Sequence, residues 1–222
     1  MSMKYRGFAS CLGLLSLLVL LCGVTQVDAE ERYHKWIAGI RGGPSLLTQD
    51  AVHEANIEGQ IGPHFNGLII YNLHEHISLG FEAEWEQHKL DQAAVTLGNA
   101  STASLLVRFE CHLERSQPLS PYFLFAGGYN LNSFSEEDAY LAVCGDDCRI
   151  NIDNSFTIKA GFGVDMFLLF DNAAINIEIA WKHNRADMDF ISGGTVVSSD
   201  TYKGSALSLL LGFRYHFPVS PF

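Results

Sequence analysis

The stretch Ser205-Ala206-Leu207-Ser208-Leu209-Leu210-Leu211-Gly212-Phe213-Arg214-Tyr215-His216-Phe217 decides how the rest of the chain is read. In an extended backbone, Leu207, Leu209, Leu211, Phe213, Tyr215 and Phe217 share one face. Ser208, Gly212, Arg214 and His216 share the other, with Leu210 as the apolar exception. Side chains alternate faces along a strand, so one face is uniformly apolar and ends in aromatics. A strand of about ten residues with this pattern is suited to crossing a bilayer as part of a closed barrel.

The same period recurs upstream. Ile77, Leu79, Phe81, Ala83 and Trp85 alternate with Ser78, Gly80, Glu82, Glu84 and Glu86; a helix would scatter those carboxylates, whereas a strand gathers them on one face. Further strands are predicted over Tyr33 to Gly42, Ile57 to Asn72, Ser101 to Leu113 and Tyr122 to Leu131. Ser155 to Met166 and Ile175 to Lys182 complete a set of eight with the last strand. Short turns alternate with longer connections, the longest over 43–55, 88–100, 132–153 and 184–203. An even number of strands with brief turns on one side and long loops on the other is the layout of an all-β, eight-stranded, antiparallel up-and-down transmembrane β-barrel. Closure removes the strand edges that lipid cannot satisfy.

A soluble barrel of the lipocalin type shows the same alternation with its faces exchanged. Three features favour the membrane. The apolar faces end in Trp36, Tyr71, Trp85, Trp181, Tyr215 and Phe217, as expected where lipid meets water. The polar faces mix charges with Gly39, Gly62, Gly80, Gly161, Gly163 and Gly212, which suits a narrow interior. The asymmetry of the loops is the third.

At the N-terminus, Lys4 and Arg6 precede an apolar run from Cys11 to Val24, and Val27-Asp28-Ala29 offers a small-residue cleavage site. Residues 1–29 therefore read as a secretory signal peptide and 30–222 as one barrel domain. Cys22 would be the lipidated residue of a lipoprotein, but Leu21 stands where that signal requires a small side chain. No later stretch is apolar for long enough to span as a helix. A net charge of −11 argues against a nucleic-acid partner, which would need a basic face. Of the five cysteines, Cys144 and Cys148 bracket a short turn and are expected to pair in an oxidising compartment, while Cys111 reads as a small hydrophobe on a strand.

Chemistry has few candidates. His74-Glu75-His76 offers two imidazoles but no third ligand, so no metal is expected. Glu136, Glu137, Asp138, Asp146 and Asp147 crowd one long loop; that loop reads as solvated, with divalent bridging to lipopolysaccharide as the functional alternative. Inward carboxylates Glu82, Glu84 and Glu178 are expected to pair with Arg41, Arg108, Lys159, Lys182 and Arg214, because an unpaired buried charge is costly. A hairpin centred near Val95 sets Glu82 opposite Arg108, and the next such argument sets Glu178 opposite Arg214. Eight strands enclose a space that side chains just fill, so these pairs should plug it.

The closing strand, Gly212 to Phe217, resembles the C-terminal strand of bacterial outer-membrane proteins, whose final aromatic marks them for insertion. Here Pro218-Val219-Ser220-Pro221-Phe222 follows, so the terminal residue is out of register. Ser120-Pro121-Tyr122 leading into Gly127-Gly128 is the other piece that resembles the small barrels related to outer-membrane protein A and outer-membrane protein W. The resemblance spans nearly the whole mature chain through loose motifs. It implies a Gram-negative outer-membrane location, outer-membrane lipids and lipopolysaccharide as surroundings, and the barrel-assembly machinery as partner. It also implies a structural or surface role, or passage of small solutes, without a cofactor. Some such barrels deacylate lipid A with a His-x-Ser-Asn stretch; this chain has His183-Asn184-Arg185 there, so no catalytic residue is expected.

Overall fold

The computed structural model describes residues 35–48, 50–52, 56–93, 95–113, 118–145, 147–168 and 172–217. The expected signal peptide and the tail after Phe217 lie outside the described residues. Among these residues, eleven strands and one helix follow in order: β1 (Trp36–Leu47), β2 (Ile57–Gly59), β3 (Gly62–His74), β4 (Ile77–Gln92), β5 (Val95–His112), β6 (Leu119–Glu136), α1 (Asp138–Cys144), β7 (Cys148–Ile152), β8 (Ser155–Phe167), β9 (Ala173–Ser192), β10 (Thr195–Lys203) and β11 (Ala206–His216).

Eight of these strands, β1, β3, β4, β5, β6, β8, β9 and β11, close an antiparallel ring in chain order. The last strand seals it against the first, from Ile37↔His216 to Leu47↔Ala206. Every backbone group in the ring can then pair within the sheet, which is what a hydrocarbon environment demands. The fold is the eight-stranded up-and-down transmembrane barrel that the alternation predicts.

The pleat assigns the faces. Outward residues such as Ile40, Ile69, Phe81, Leu105, Phe125 and Phe156 are exposed on the outer wall, whereas Arg41, Glu82, Arg108 and Arg214 are buried inside. Exposed apolar surface on this scale needs lipid to cover it. Aromatics mark its limits. Trp36 packs on Tyr71, with ring centroids 5.2 Å apart, and Tyr215 packs on Phe217 at 5.3 Å, all at the end with the short turns. Trp85 and Trp181 each lie eight residues beyond the start of their strands at Ile77 and Ala173. At about 3.3 Å per residue and a tilt near 40°, that separates the two aromatic levels by roughly 20 Å, close to the apolar height of such barrels.

The strands run well past the second aromatic level, and here the structure corrects the sequence reading. Of the predicted loops, 43–55 contains the end of β1, and 88–100 contains the ends of β4 and β5. The stretch 132–153 holds the end of β6, α1 and β7, and 184–203 holds the end of β9 and β10. The single strand predicted from Ile57 to Asn72 is two, β2 pairing with β4 and β3 pairing with both β1 and β4. The reason is a change of polarity, not of period. Inward positions that are charged lower down, such as Glu86 and Lys182, give way to Leu90, Ala186 and Met188, while Arg185, Asp187 and Asp189 face outward. Leu47, Val52, Ile57, Leu97, Ile150, Ile152 and Tyr202 join them in one apolar core, against which Phe134, Tyr140 and Phe190 pack. Beyond the membrane the barrel thus has the polarity of a soluble domain, apolar inside and polar outside. Gly193 and Gly194, with φ of +59° and +76°, form the tight β9–β10 turn, a left-handed backbone that glycine enters without strain.

Candidate functional site

The lumen between the aromatic levels holds a continuous run of alternating charge. Among the described residues, the buried acids are Glu82, Glu84, Glu86, Glu110, Asp165 and Glu178, and the buried lysines and arginines are Arg41, Arg108, Lys159, Lys182 and Arg214. Alternation along β4 delivers three carboxylates at every second residue, and β5, β8, β9, β11 and β1 supply the cations from around the ring.

From the outer side inward, Lys182 Nζ reaches Glu86 Oε1 at 2.6 Å and Glu84 Oε1 at 2.9 Å. Lys159 Nζ donates to Glu84 Oε2 at 2.9 Å and to Glu82 Oε1 at 2.6 Å. Arg108 is the hub: Nη1 donates to Glu82, Nε to Glu110 Oε1 at 2.6 Å, and Nη2 to Glu178 Oε2 at 2.5 Å. Arg41 donates through Nη1 to Glu178 and through Nε to Asn66 Oδ1 at 2.8 Å. Nearest the short turns, Arg214 Nη2 donates to Glu110 Oε1 at 2.7 Å and Nη1 to Asp165 Oδ2 at 3.0 Å. The side chains of Arg41, Arg108, Glu82 and Glu178 have no exposure at all. Charges this far from water are costly unless an opposite charge pairs with them.

Tyr122 knits this end together. Its hydroxyl donates to Glu178 Oε2 at 2.9 Å and accepts from Arg214 Nη2 and Asn176 Nδ2, each at 2.9 Å. The Arg214 guanidinium also stacks over its ring, 4.6 Å from the centroid. Gly163 makes room for it: a Cβ there would stand 2.3 Å from the Tyr122 ring.

The predicted pairs can now be placed. Glu82 and Arg108 are in contact, but not across the predicted register, since Leu106 lies opposite Glu82 and Gly80 opposite Arg108. Glu178 and Arg214 do not pair: Leu210 lies opposite Glu178, whose partners include Arg41, Arg108, Lys159 and Tyr122. The turns close nearer the start of each hairpin than the loop midpoints suggest, which shifts both registers. The structure brings Glu84 to Lys159 and Lys182. Glu110, Asp165, Tyr122 and Asn176 were not singled out by sequence; their signal was the inward phase of their strands, shared with Arg108, Lys159 and Glu178.

Outside the lumen, Cys144 and Cys148 are joined, with Cα atoms 6.0 Å apart, and Cys111 is a free thiol. In the acidic loop, Glu136 Oε1 accepts the Ile150 N–H at 2.8 Å and Glu137 Oε1 accepts from Asn99 Nδ2 at 3.3 Å; Asp146 lies outside the described residues. His76 points Nδ1 at the His112 carbonyl, 3.0 Å away. Among the described residues no group of three potential ligands could hold a metal ion. One contact was invisible in sequence: His183 Nδ1 lies 3.1 Å from Ser205 Oγ. Ser205 is buried and its hydroxyl also accepts the Asn184 N–H at 3.3 Å, and no carboxylate pairs with His183 among the described residues. Among the described residues the contact therefore lacks the carboxylate third member of a Ser/His/acid set.

A closed barrel with a lipid-facing apolar wall and a charge-filled lumen defines the class: a small transmembrane β-barrel of the outer-membrane type. Solved structures of that fold are similar over nearly their full length. The outer membrane protein OprG from Pseudomonas aeruginosa superposes with a TM-score of 0.67 at 13% identity, covering 86% of this chain and 100% of that one. The outer membrane protein AlkL, determined in lipid bilayers, gives 0.57 at 16% identity, covering 90% and 98%. Neisserial surface protein A gives 0.51 at 10% identity, covering 83% and 97%. No family model matches the chain. No characterised protein sequence matches it either.

Proposed function

We propose that this chain is a non-enzymatic barrel of the Gram-negative outer membrane, exported by a signal peptide over 1–29. In this reading its lumen is closed, and its work is structural and surface-presenting. The observation that carries it is the chain of ion pairs from Glu86 to Asp165, with Arg108 and Glu178 fully buried at its centre. Such a plug fixes the eight strands to one another across the lumen and leaves no water-filled path. Above it, the apolar core around Leu90, Met188 and Tyr202 braces the projecting strands, which hold α1 and β10 away from the membrane. Lipopolysaccharide and outer-membrane lipids are the partners of the apolar wall, and the assembly machinery is the partner of the closing strand. Liposome swelling tests the closed lumen. Vesicles carrying the refolded barrel should swell no faster in arabinose than protein-free vesicles. Swelling that grows with the amount of protein would establish passage of small solutes instead.

A further inference from the structure

The outward face of β9 changes character where the apolar wall ends. Reading away from the membrane, it carries Trp181, His183, Arg185 and Asp187. The β9–β10 register sets Lys203 directly opposite Arg185, and Tyr202 opposite Ala186. Tyr202 and Ala186 are buried in the apolar core, so Arg185 and Lys203 share the outer face. Directly opposed residues have Cα atoms about 5 Å apart, a spacing at which two like charges destabilise a sheet. No ion pair relieves this couple among the described residues, although Asp187 follows on the same face. Asp50 lies near as well, beside the Ala51 carbonyl that accepts the Lys203 N–H at 2.8 Å, but it does not pair with Lys203 either. The remaining acids of this hairpin are engaged: Asp189 accepts from Ser199 Oγ, and Asp200 accepts the Thr201 N–H. The chain has 25 acidic residues to 14 lysines and arginines, so the missing counter-ion is a local feature and not a shortage of acids.

The wall beneath the couple is apolar. Phe156, one residue beyond the Thr157↔Asn184 pairing, adjoins Arg185 on the β8 side and is 83% exposed. Tyr129 packs on it, with ring centroids 5.3 Å apart. One row closer to the membrane, Ile158 lies opposite His183, and Leu207 lies opposite Trp181 one row further on. Long cationic side chains lay their stems on apolar surface of this kind and keep the charge at the level of lipid head groups. Two adjacent unpaired cations call for an anion between them. Phosphate suits both, taking forked hydrogen bonds from a guanidinium and a point charge from an ammonium. The exposed Phe156 and Ile158 call for an apolar tail on the same molecule.

We propose that Arg185 and Lys203 hold the phosphate of an outer-leaflet lipid head group, with an acyl chain of that lipid lying over Phe156 and Ile158. The inference rests on the outer-membrane reading above and is independent of whether the lumen is closed. A free phosphate ion offers the same head without the tail, and the test separates the two. The probes are lipid A with both phosphates, the same lipid A enzymatically stripped of them, and inorganic phosphate. Each is added to the refolded barrel in octyl glucoside and read by native mass spectrometry. The phosphorylated lipid should be held at least tenfold more tightly than the stripped one. Arg185→Gln combined with Lys203→Gln should remove that difference. Arg149→Gln, which changes an exposed arginine higher on the same sheet, should alter it less than twofold. Lys203→Glu, which gives Arg185 a counter-ion within the protein, should also remove the difference and serves if the double variant does not fold. Equal retention of the two lipids by a barrel that keeps its unheated gel mobility would overturn the proposal and leave the barrel reading standing. Persistence of the difference in the variants, or displacement of the lipid by equimolar inorganic phosphate, would overturn it too. Loss of the gel shift in the unmodified protein would sink the outer-membrane reading and this proposal with it.

Discussion

Replacing Arg108 by alanine removes one cation from three carboxylates at once. Glu110 at 2.6 Å, Glu178 at 2.5 Å and Glu82 all lose a charge-assisted hydrogen bond. Breaking a buried pair by deleting one partner costs about 3–5 kcal/mol. The network softens this, because each acid keeps another cation: Lys159 at 2.6 Å from Glu82, Arg214 at 2.7 Å from Glu110, and Arg41 on Glu178. We therefore expect about 3 kcal/mol for Arg108→Ala, at the low end of that range. Glu82→Ala leaves Arg108 with Glu110 and Glu178, so the double variant should cost about 1–2 kcal/mol less than the sum of the singles. Urea unfolding of the barrel in lipid vesicles, followed by tryptophan fluorescence, gives all three values. A loss below about 1 kcal/mol for Arg108→Ala, or additivity within about 0.5 kcal/mol, would refute a central plug built on this hub.

Tyr122→Phe strips a hydroxyl from Glu178, Arg214 and Asn176 and should lower stability by about 1–3 kcal/mol in the same assay. Gly163→Ala places a methyl 2.3 Å from the Tyr122 ring and should cost about 1–3 kcal/mol, a loss largely relieved when Tyr122→Leu is added. Reducing Cys144–Cys148 opens only a short loop on the outer side, worth about 2 kcal/mol at most; heat-dependent gel mobility should be unchanged by reductant, while unreduced peptide mapping should find the pair linked.

The membrane part of this molecule was legible because its two faces differ so sharply. Strands such as Ile77 to Trp85 carry lipid-facing and lumen-facing residues in strict alternation, so strand count, closure and the inward set of charges all follow from period two. Partner identity did not follow. Register is fixed by the turns, and the β4–β5 turn runs through Ala93 at φ +54°, a position with none of the glycine or asparagine that would have revealed it. Long side chains then reach diagonally, so Arg108 meets Glu82 from two positions away, and Glu178 meets Arg41 across another strand. The outer strands were hidden for a different reason. Arg185, Ala186, Asp187, Met188 and Asp189 alternate as regularly as the membrane strands do, but with apolar residues inside, and a search for lipid-facing hydrophobes passes over them.

The closed lumen is the claim on which the functional reading turns, and single-channel recording in planar bilayers tests it most directly. The unmodified barrel should show no steady conductance above that of the bare membrane, whereas Arg108→Ala should admit small ions through brief openings. A large, steady, porin-like conductance in the unmodified protein would contradict the account.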